Sequence, residues 1–126
     1  MHLLIIDSSA EVMERLHELL SEEAAVWTVH RAFSCEEASH MMHRIHPAVV
    51  LLDSTVYKCS KGELLRNINE EKGAIAFIVL TNGGDDLLFR RFKLLDTDFL
   101  IDKYNEFEKI PAIVNTIAAR KGHHIM

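Results

Sequence analysis

The stretches "AVVLLD" (48–53) and "AIAFIVLT" (74–81) constrain this chain more than any other feature. Each is an almost unbroken apolar run, too short for a core helix and rich in Val, Ile, Leu and Phe. A half-exposed strand would alternate apolar and polar residues. A continuous run means a strand buried on both faces, which is the habit of parallel sheets covered by helices on either side. "HLLII" (2–6), "AVWTVHRA" (25–32) and "TDFLI" (97–101) read as three further strands.

Helical patterns fall between them. "SSAEVMERLHELLSEE" (8–23) sets Val12, Leu16, Leu19 and Leu20 at helical spacing, with Ser8 and Ser9 as cap residues. "SCEEASHMMHRIH" (34–46) opens on a capping box, Ser34 with Glu37 three positions on, and Pro47 closes it. "STVYKCSKG" (54–62) is a polar loop, and Ser60 with Glu63 repeats the capping-box spacing before "ELLRNINEEKG" (63–73). "DLLFRRFKLLD" (86–96) and "PAIVNTIAARK" (111–121) complete the series, the latter with Pro111 in its first turn. Five strands alternating with five helices imply a doubly wound α/β sandwich built around a parallel sheet. One domain over 1–126 is expected, with its core at 3–120 and a tail at 121–126.

Charge and composition narrow the function. Fourteen Lys and Arg against nineteen Asp and Glu give a formal charge of −5, which excludes a broad nucleic-acid-binding face. An apolar fraction of 48% suits a packed core. No run approaches the ~18 apolar residues of a membrane helix, and "MHLLIID" lacks the basic start of a secretion signal. Cys35 and Cys59 form no C-x-x-C and read as two free thiols in a reducing cytoplasm. A cytoplasmic protein without membrane contact is expected.

In doubly wound sheets ligands bind beyond the carboxyl ends of the strands. The first strand ends on Asp7, the third on Asp53 and the fourth on Thr81, and the fifth leads to Lys103. Two carboxylates, a hydroxyl and an ammonium should therefore meet at one rim. Close carboxylates suit Mg²⁺, which takes oxygen ligands and keeps several waters. A lysine can pair with a phosphoryl oxygen, and Asp53 can serve as a nucleophile toward phosphorus.

These four positions carry a resemblance. Over residues 3–120 the sequence resembles the receiver domain of two-component response regulators. "LLIIDSSAEVMERL" resembles its first strand, acidic pocket and first helix, and "HPAVVLLDSTV" its phosphoacceptor strand. "FIVLTNGGDD" and "DTDFLIDKYNEFEKIP" resemble the segments bearing its hydroxyl and its lysine. The resemblance implies a flavodoxin-like, CheY-like five-stranded sheet of order 2-1-3-4-5. It implies phosphoryl transfer from a histidine kinase or phosphotransfer protein to Asp53, assisted by Thr81 and Lys103. It implies Mg²⁺ held by Asp7, Asp53 and the backbone carbonyl of Thr55. A single-domain response regulator would then signal by protein contact through the 85–105 face, to a target protein or to a second copy as a homodimer, and would not be an enzyme.

The sequence departs from the family at several points. Ser8 stands where a second acid is usual. At ~5 Å and an effective dielectric of ~20, one unit charge attracts a divalent ion by roughly 6–7 kcal/mol gross, most of it offset by desolvation. Weaker Mg²⁺ binding, with Ser8 acting through a water, is expected. Tyr57 replaces a proline, and a glycine appears one position late as Gly62. Tyr104 replaces the proline after the lysine, so a trans bond is expected there. Leu100 occupies the family's aromatic switch position, while Phe99 faces the other side of the sheet.

The alternative reading is a degenerate receiver that docks independently of phosphorylation. "LLDSTV" also slightly resembles aspartate-based phosphatases, but Thr55 stands where they need a second acid. A flavin carrier of the same architecture is a further alternative, but the loop after the first strand is short and lacks a phosphate-cradling series of hydroxyls and glycines. His40, His43 and His46 read as solvated residues of the second helix, and His123 and His124 as tail. Leu88, Phe92 and Leu95 form a core-facing stripe, and Phe89 with Arg90 and Lys93 a candidate partner surface.

Overall fold

The computed structural model describes residues 1–21, 27–56, 59–66, 68, 74–81, 95 and 98–121. Its strands are β1 (His2–Ile6), β2 (Thr28–Ala32), β3 (Val49–Asp53), β4 (Ala76–Thr81) and β5 (Phe99–Asp102). They form one sheet in the order β2-β1-β3-β4-β5, every neighbouring pair parallel. This is the doubly wound fold and the strand order expected from the sequence. Among the described residues the helices are α1 (Ala10–Ser21), α2 (Cys35–Ile45), α3 (Lys61–Leu64) and α4 (Ile110–Arg120), with one 3₁₀ turn at Phe107–Lys109.

The apolar runs are buried for the reason their composition implies. Every residue of β3 and β4 is buried, and so is β1 apart from His2. Alternate residues feed two separate cores. Leu3, Ile5, Leu51, Ile78 and Leu80 pack with Met13, Leu16 and Leu20 of α1 and with Val114 and Ile117 of α4. Leu4, Ile6, Val50, Leu52 and Phe77 pack on the other face with Ala38 and Met42 of α2 and Leu64 of α3. Each such Val, Leu, Ile, Phe or Met side chain contributes about 1.5–3 kcal/mol on burial.

The edge strands are less buried than the central ones. β2 begins at Thr28, three residues later than the apolar run suggests, although Trp27 before it is buried. In α1 the deeply buried residues are Met13, Leu16 and Leu20, with Val12 and Leu19 at the margin of the core. Ser9 caps that helix, its Oγ accepting the N–H of Val12 at 3.3 Å. Ser34 and Ser60 cap α2 and α3 as their spacing predicts, accepting from Glu37 and Glu63, each at 3.2 Å. α2 ends at Ile45, and His46 takes a left-handed conformation (φ 47°) before Pro47. Of the helix expected at 86–96 only Leu95 is among the described residues; Leu88, Phe89, Arg90, Phe92 and Lys93 lie outside them, as do Tyr57, His123 and His124.

The two cysteines are not free. Cys35, the first residue of α2, and Cys59, in the loop after β3, form a disulfide with Cα atoms 5.2 Å apart. Twenty-four residues separate them in the chain. Their approach follows from topology: α2 and α3 cover the same face of the sheet, and both segments begin beyond the carboxyl ends of strands. The thiol-based argument for a reducing compartment therefore falls away. Among the described residues no helix is long and apolar enough to cross a membrane.

Candidate functional site

Asp53 closes β3 and Asp7 follows β1 directly, so both stand at the carboxyl rim of adjacent central strands. Leu52 pairs with Ile6, which places Asp53 and Asp7 level with one another. Both are almost fully buried, Asp7 at 0% and Asp53 at 2% exposure. Two carboxylates this deep need counter-charge, since unpaired buried ions cost several kcal/mol each.

Lys103 supplies that charge. Its Nζ lies 3.2 Å from Oδ2 of Asp7 and 3.2 Å from Oδ1 of Asp53, with its side chain 11% exposed. Burial alone would lower the ammonium's pKa. The attractions of Asp53 and Asp7 outweigh it, so the pKa is raised from its ordinary value.

The chain around Lys103 is built to hold it there. Its backbone N–H donates to the carbonyl of Thr81 at 2.7 Å, continuing the β4–β5 ladder past the last strand residue. Asp102 then turns the chain: its carboxylate accepts from the N–H groups of Tyr104 (2.9 Å) and Asn105 (3.2 Å) and from Nδ2 of Asn105 (3.0 Å). The Tyr104 N–H is the main reason that Asp102's pKa is lowered. Glu106 braces the same turn by accepting from the Asp102 N–H at 3.0 Å, and that bond is what chiefly lowers Glu106's pKa. No peptide bond among the described residues is cis, so Tyr104 is trans as expected, and the residue is 74% exposed.

The other expected residues are placed as follows. Thr81 is buried at the end of β4, in register with Asp102 and one position beyond Leu80, the partner of Asp53. Ser8 is exposed next to Asp7. Thr55 lies in the turn after β3, and its hydroxyl donates to Oδ2 of Asp53. That turn is closed by the Val56 N–H on the Asp53 carbonyl at 3.2 Å, and the Ser54 N–H reaches the Leu80 carbonyl at 2.9 Å. Phe99 and Leu100 face opposite cores, as strand alternation requires.

The donor set fits a hard divalent cation. Asp7 uses Oδ1 to accept the Ser9 N–H at 2.8 Å, while its buried Oδ2 faces the ammonium but accepts no aligned hydrogen bond. An oxygen with free lone pairs beside a second carboxylate is what Mg²⁺ seeks, and exposed Ser8 leaves room for the waters that it retains. Among the described residues no group of three or more His, Cys, Asp or Glu converges. A metal here would thus rest on two carboxylates, a carbonyl and water. His40, His43 and His46 are exposed.

Two features escaped the sequence. One is the disulfide. The other is Asp98, 6% exposed at the opposite, amino-terminal end of β5. It accepts from the N–H groups of Phe77 and Leu95, each at 2.8 Å, and pairs with Lys61 Nζ at 2.6 Å. Its role is to tie α3 and the start of β4 to the start of β5. No motif spacing marks it.

No family model matches the sequence. No curated protein matches it either. Solved structures do. The fold is similar to the signal receiver domain of a DNA-binding response regulator from Colwellia psychrerythraea 34H, with TM-score 0.78, 19% identity, and 94% of this chain and 98% of that one covered. It is similar to a two-component response regulator from Clostridium difficile, with TM-score 0.77, 20% identity, and 97% and 98% covered. A response regulator receiver domain protein from Clostridium thermocellum gives TM-score 0.74, 23% identity, and 96% of each chain covered. The receiver likeness read from four separated motifs is thus borne out in the fold.

Proposed function

We propose that this chain is a receiver module of two-component signalling that accepts a phosphoryl group on Asp53. One observation carries the reading: a single ammonium, Lys103, bridges two buried carboxylates at the carboxyl rim of a receiver-type sheet. A structural ion pair would need one acid, and a second acid buried beside it is costly unless another cation uses the place.

In the proposed step an oxygen of Asp53 attacks phosphorus of a phosphohistidine on a histidine kinase or phosphotransfer protein. The P–O bond forms as the P–N bond breaks, and the electron pair returns to the imidazole. Lys103 pairs with a phosphoryl oxygen as its contact to Asp53 is given up, and Thr81 donates its hydroxyl to another. Asp7, Asp53 and the Thr55 carbonyl would hold Mg²⁺, which when bound supplies charge neutralisation on the transferring group. Thr55 must release Asp53 Oδ2 first, because an oxygen occupied by a donor is a poorer nucleophile. The chain is an acceptor and signals by contact with a target protein; it is not a turnover enzyme.

Acetyl phosphate with millimolar Mg²⁺ tests this. Wild type should gain an acid-stable, base-labile phosphoryl adduct detected by mass spectrometry, and Asp53→Asn should gain none. Absence of an adduct in wild type would leave the phosphorylation-independent docking module as the better account.

A further inference from the structure

We infer that the Cys35–Cys59 disulfide is a reversible oxidation site that sets the competence of the Asp53 loop. The inference rests on the reading of Asp53 as phosphoacceptor, and two observations carry it beyond that. First, the bond joins the start of α2 to the segment that immediately follows the acceptor strand. Second, hydrogen bonds run from that bond back to the acceptor: Cys59 N–H donates to the Val56 carbonyl at 3.2 Å, and Val56 N–H donates to the Asp53 carbonyl at 3.2 Å. Thr55, whose hydroxyl engages Asp53 and whose carbonyl is a proposed metal ligand, lies between the acceptor and Val56. The covalent tie therefore ends two hydrogen-bonded turns away from the reacting carboxylate.

Exposure of the two sulfur-bearing residues differs usefully. Cys59 is 3% exposed within the core formed by α2, α3 and the sheet, whereas Cys35 at the helix start is partly open to solvent. A dithiol reductant can reach Cys35. Its thiolate attacks the Cys35 sulfur, the S–S bond breaks and Cys59 leaves as thiolate. The reductant's second thiolate then attacks the mixed disulfide, releasing Cys35 and leaving the reductant oxidised to its own disulfide. Two electrons pass to the protein, and both new thiolates take protons from solvent; the reverse exchange, with a small-molecule or protein disulfide as the two-electron oxidant, re-forms the bond and leaves that oxidant as a dithiol.

The oxidised chain holds the turn of Ser54, Thr55 and Val56 in place before any ligand arrives. Once reduced, that turn must be ordered at the moment of metal and phosphoryl binding. Ordering the backbone of even one residue corresponds to about a tenfold loss in affinity.

The test measures beryllofluoride affinity at fixed Mg²⁺ for wild type before and after dithiothreitol, with free thiols titrated and amide hydrogen exchange followed at Ser54 and Val56. We expect no free thiol before reduction, faster exchange at both amides after it, and affinity weakened by about tenfold. The Cys35→Ser/Cys59→Ser variant should match reduced wild type with or without reductant. Equal affinities in the two redox states, or free thiols in the untreated protein, would overturn the proposal. If neither state binds beryllofluoride while exchange still rises on reduction, the phosphoacceptor reading has failed and control over it falls too, leaving the mechanical tie itself supported. Because wild type is read in both states, the test does not depend on the double variant folding.

Discussion

The ammonium of Lys103 lies 3.2 Å from Oδ1 of Asp53, although fifty residues separate the two in the chain. Nothing local brings them together. They meet because β3, β4 and β5 are parallel neighbours, so the residues that end them collect on one edge. The charge at that edge is shared with Asp7 from β1, and the balance of one cation against two anions gives the site its chemistry.

That balance makes stability depend on pH in a defined direction. Burial works against the Lys103 ammonium and the two carboxylates hold it, with the net result that its pKa is raised in the folded chain. The stabilisation is complete below the unfolded value of about 10.4 and is lost as pH rises through the higher folded value. Urea denaturation of wild type should show stability falling in that alkaline window. Lys103→Met should lack this slope and should be less stable at neutral pH by about 2–4 kcal/mol, since two buried carboxylates are left without counter-charge. Added Mg²⁺ should recover part of that loss.

Asp98 anchors the other end of the sheet, and its contribution is separable from the site. Asp98→Ala strands the Phe77 and Leu95 amides and the buried Lys61 ammonium together, and should cost about 3–5 kcal/mol in urea denaturation. Lys61→Met should cost less, because Asp98 keeps two amide donors. Neither change should alter Mg²⁺ affinity. A Lys61→Met protein as unstable as Asp98→Ala would show that the ion pair, rather than the amide bonds, holds this corner.

Ser8 is exposed beside the buried Asp7 and adds no charge to the proposed metal position. Ser8→Asp should tighten Mg²⁺ binding by about tenfold, the part of the gross attraction that survives desolvation of the new acid. Calorimetric titration of the two proteins measures it. An unchanged dissociation constant would mean that position 8 takes no part in holding the ion.

How much of this could be read from the chain follows from which forces act locally. The runs around Val49–Leu52 and Phe77–Leu80 announce parallel strands because burial on both faces leaves no polar alternation. Asp7, Asp53, Thr81 and Lys103 were legible for a related reason: a polar residue that ends an apolar strand marks the rim. Ser34 and Ser60 were legible as caps because capping is a three-residue affair. Cys35 and Cys59 were not, since each thiol alone looks like any small apolar residue and only the packing of α2 beside α3 brings them together. Asp98 was hidden because it falls inside the run read as the fifth strand, and only the folding of Phe77 and Lys61 onto it shows what it does. The start of β2 was misplaced because Trp27 is buried without being part of the sheet.

The disulfide should also register in global stability. Closing a loop between residues 24 apart restricts the unfolded chain, which corresponds to about 3 kcal/mol. The Cys35→Ser/Cys59→Ser protein should therefore unfold at lower urea than oxidised wild type and at about the same urea as reduced wild type. If reduced and oxidised wild type unfold together, the bond does not constrain the unfolded ensemble as the chain-entropy account requires.

The central claim is that the carboxylates of Asp7 and Asp53 and the ammonium of Lys103 form one phosphoryl-accepting centre. Residue-resolved NMR of the protein titrated with beryllofluoride in millimolar Mg²⁺ tests it most directly. The account predicts a saturable change centred on Asp7, Asp53, Thr55, Thr81 and Lys103, absent from Asp53→Asn and extending along β5. Spectra unchanged by Mg²⁺ and beryllofluoride, or an identical response in Asp53→Asn, would contradict it.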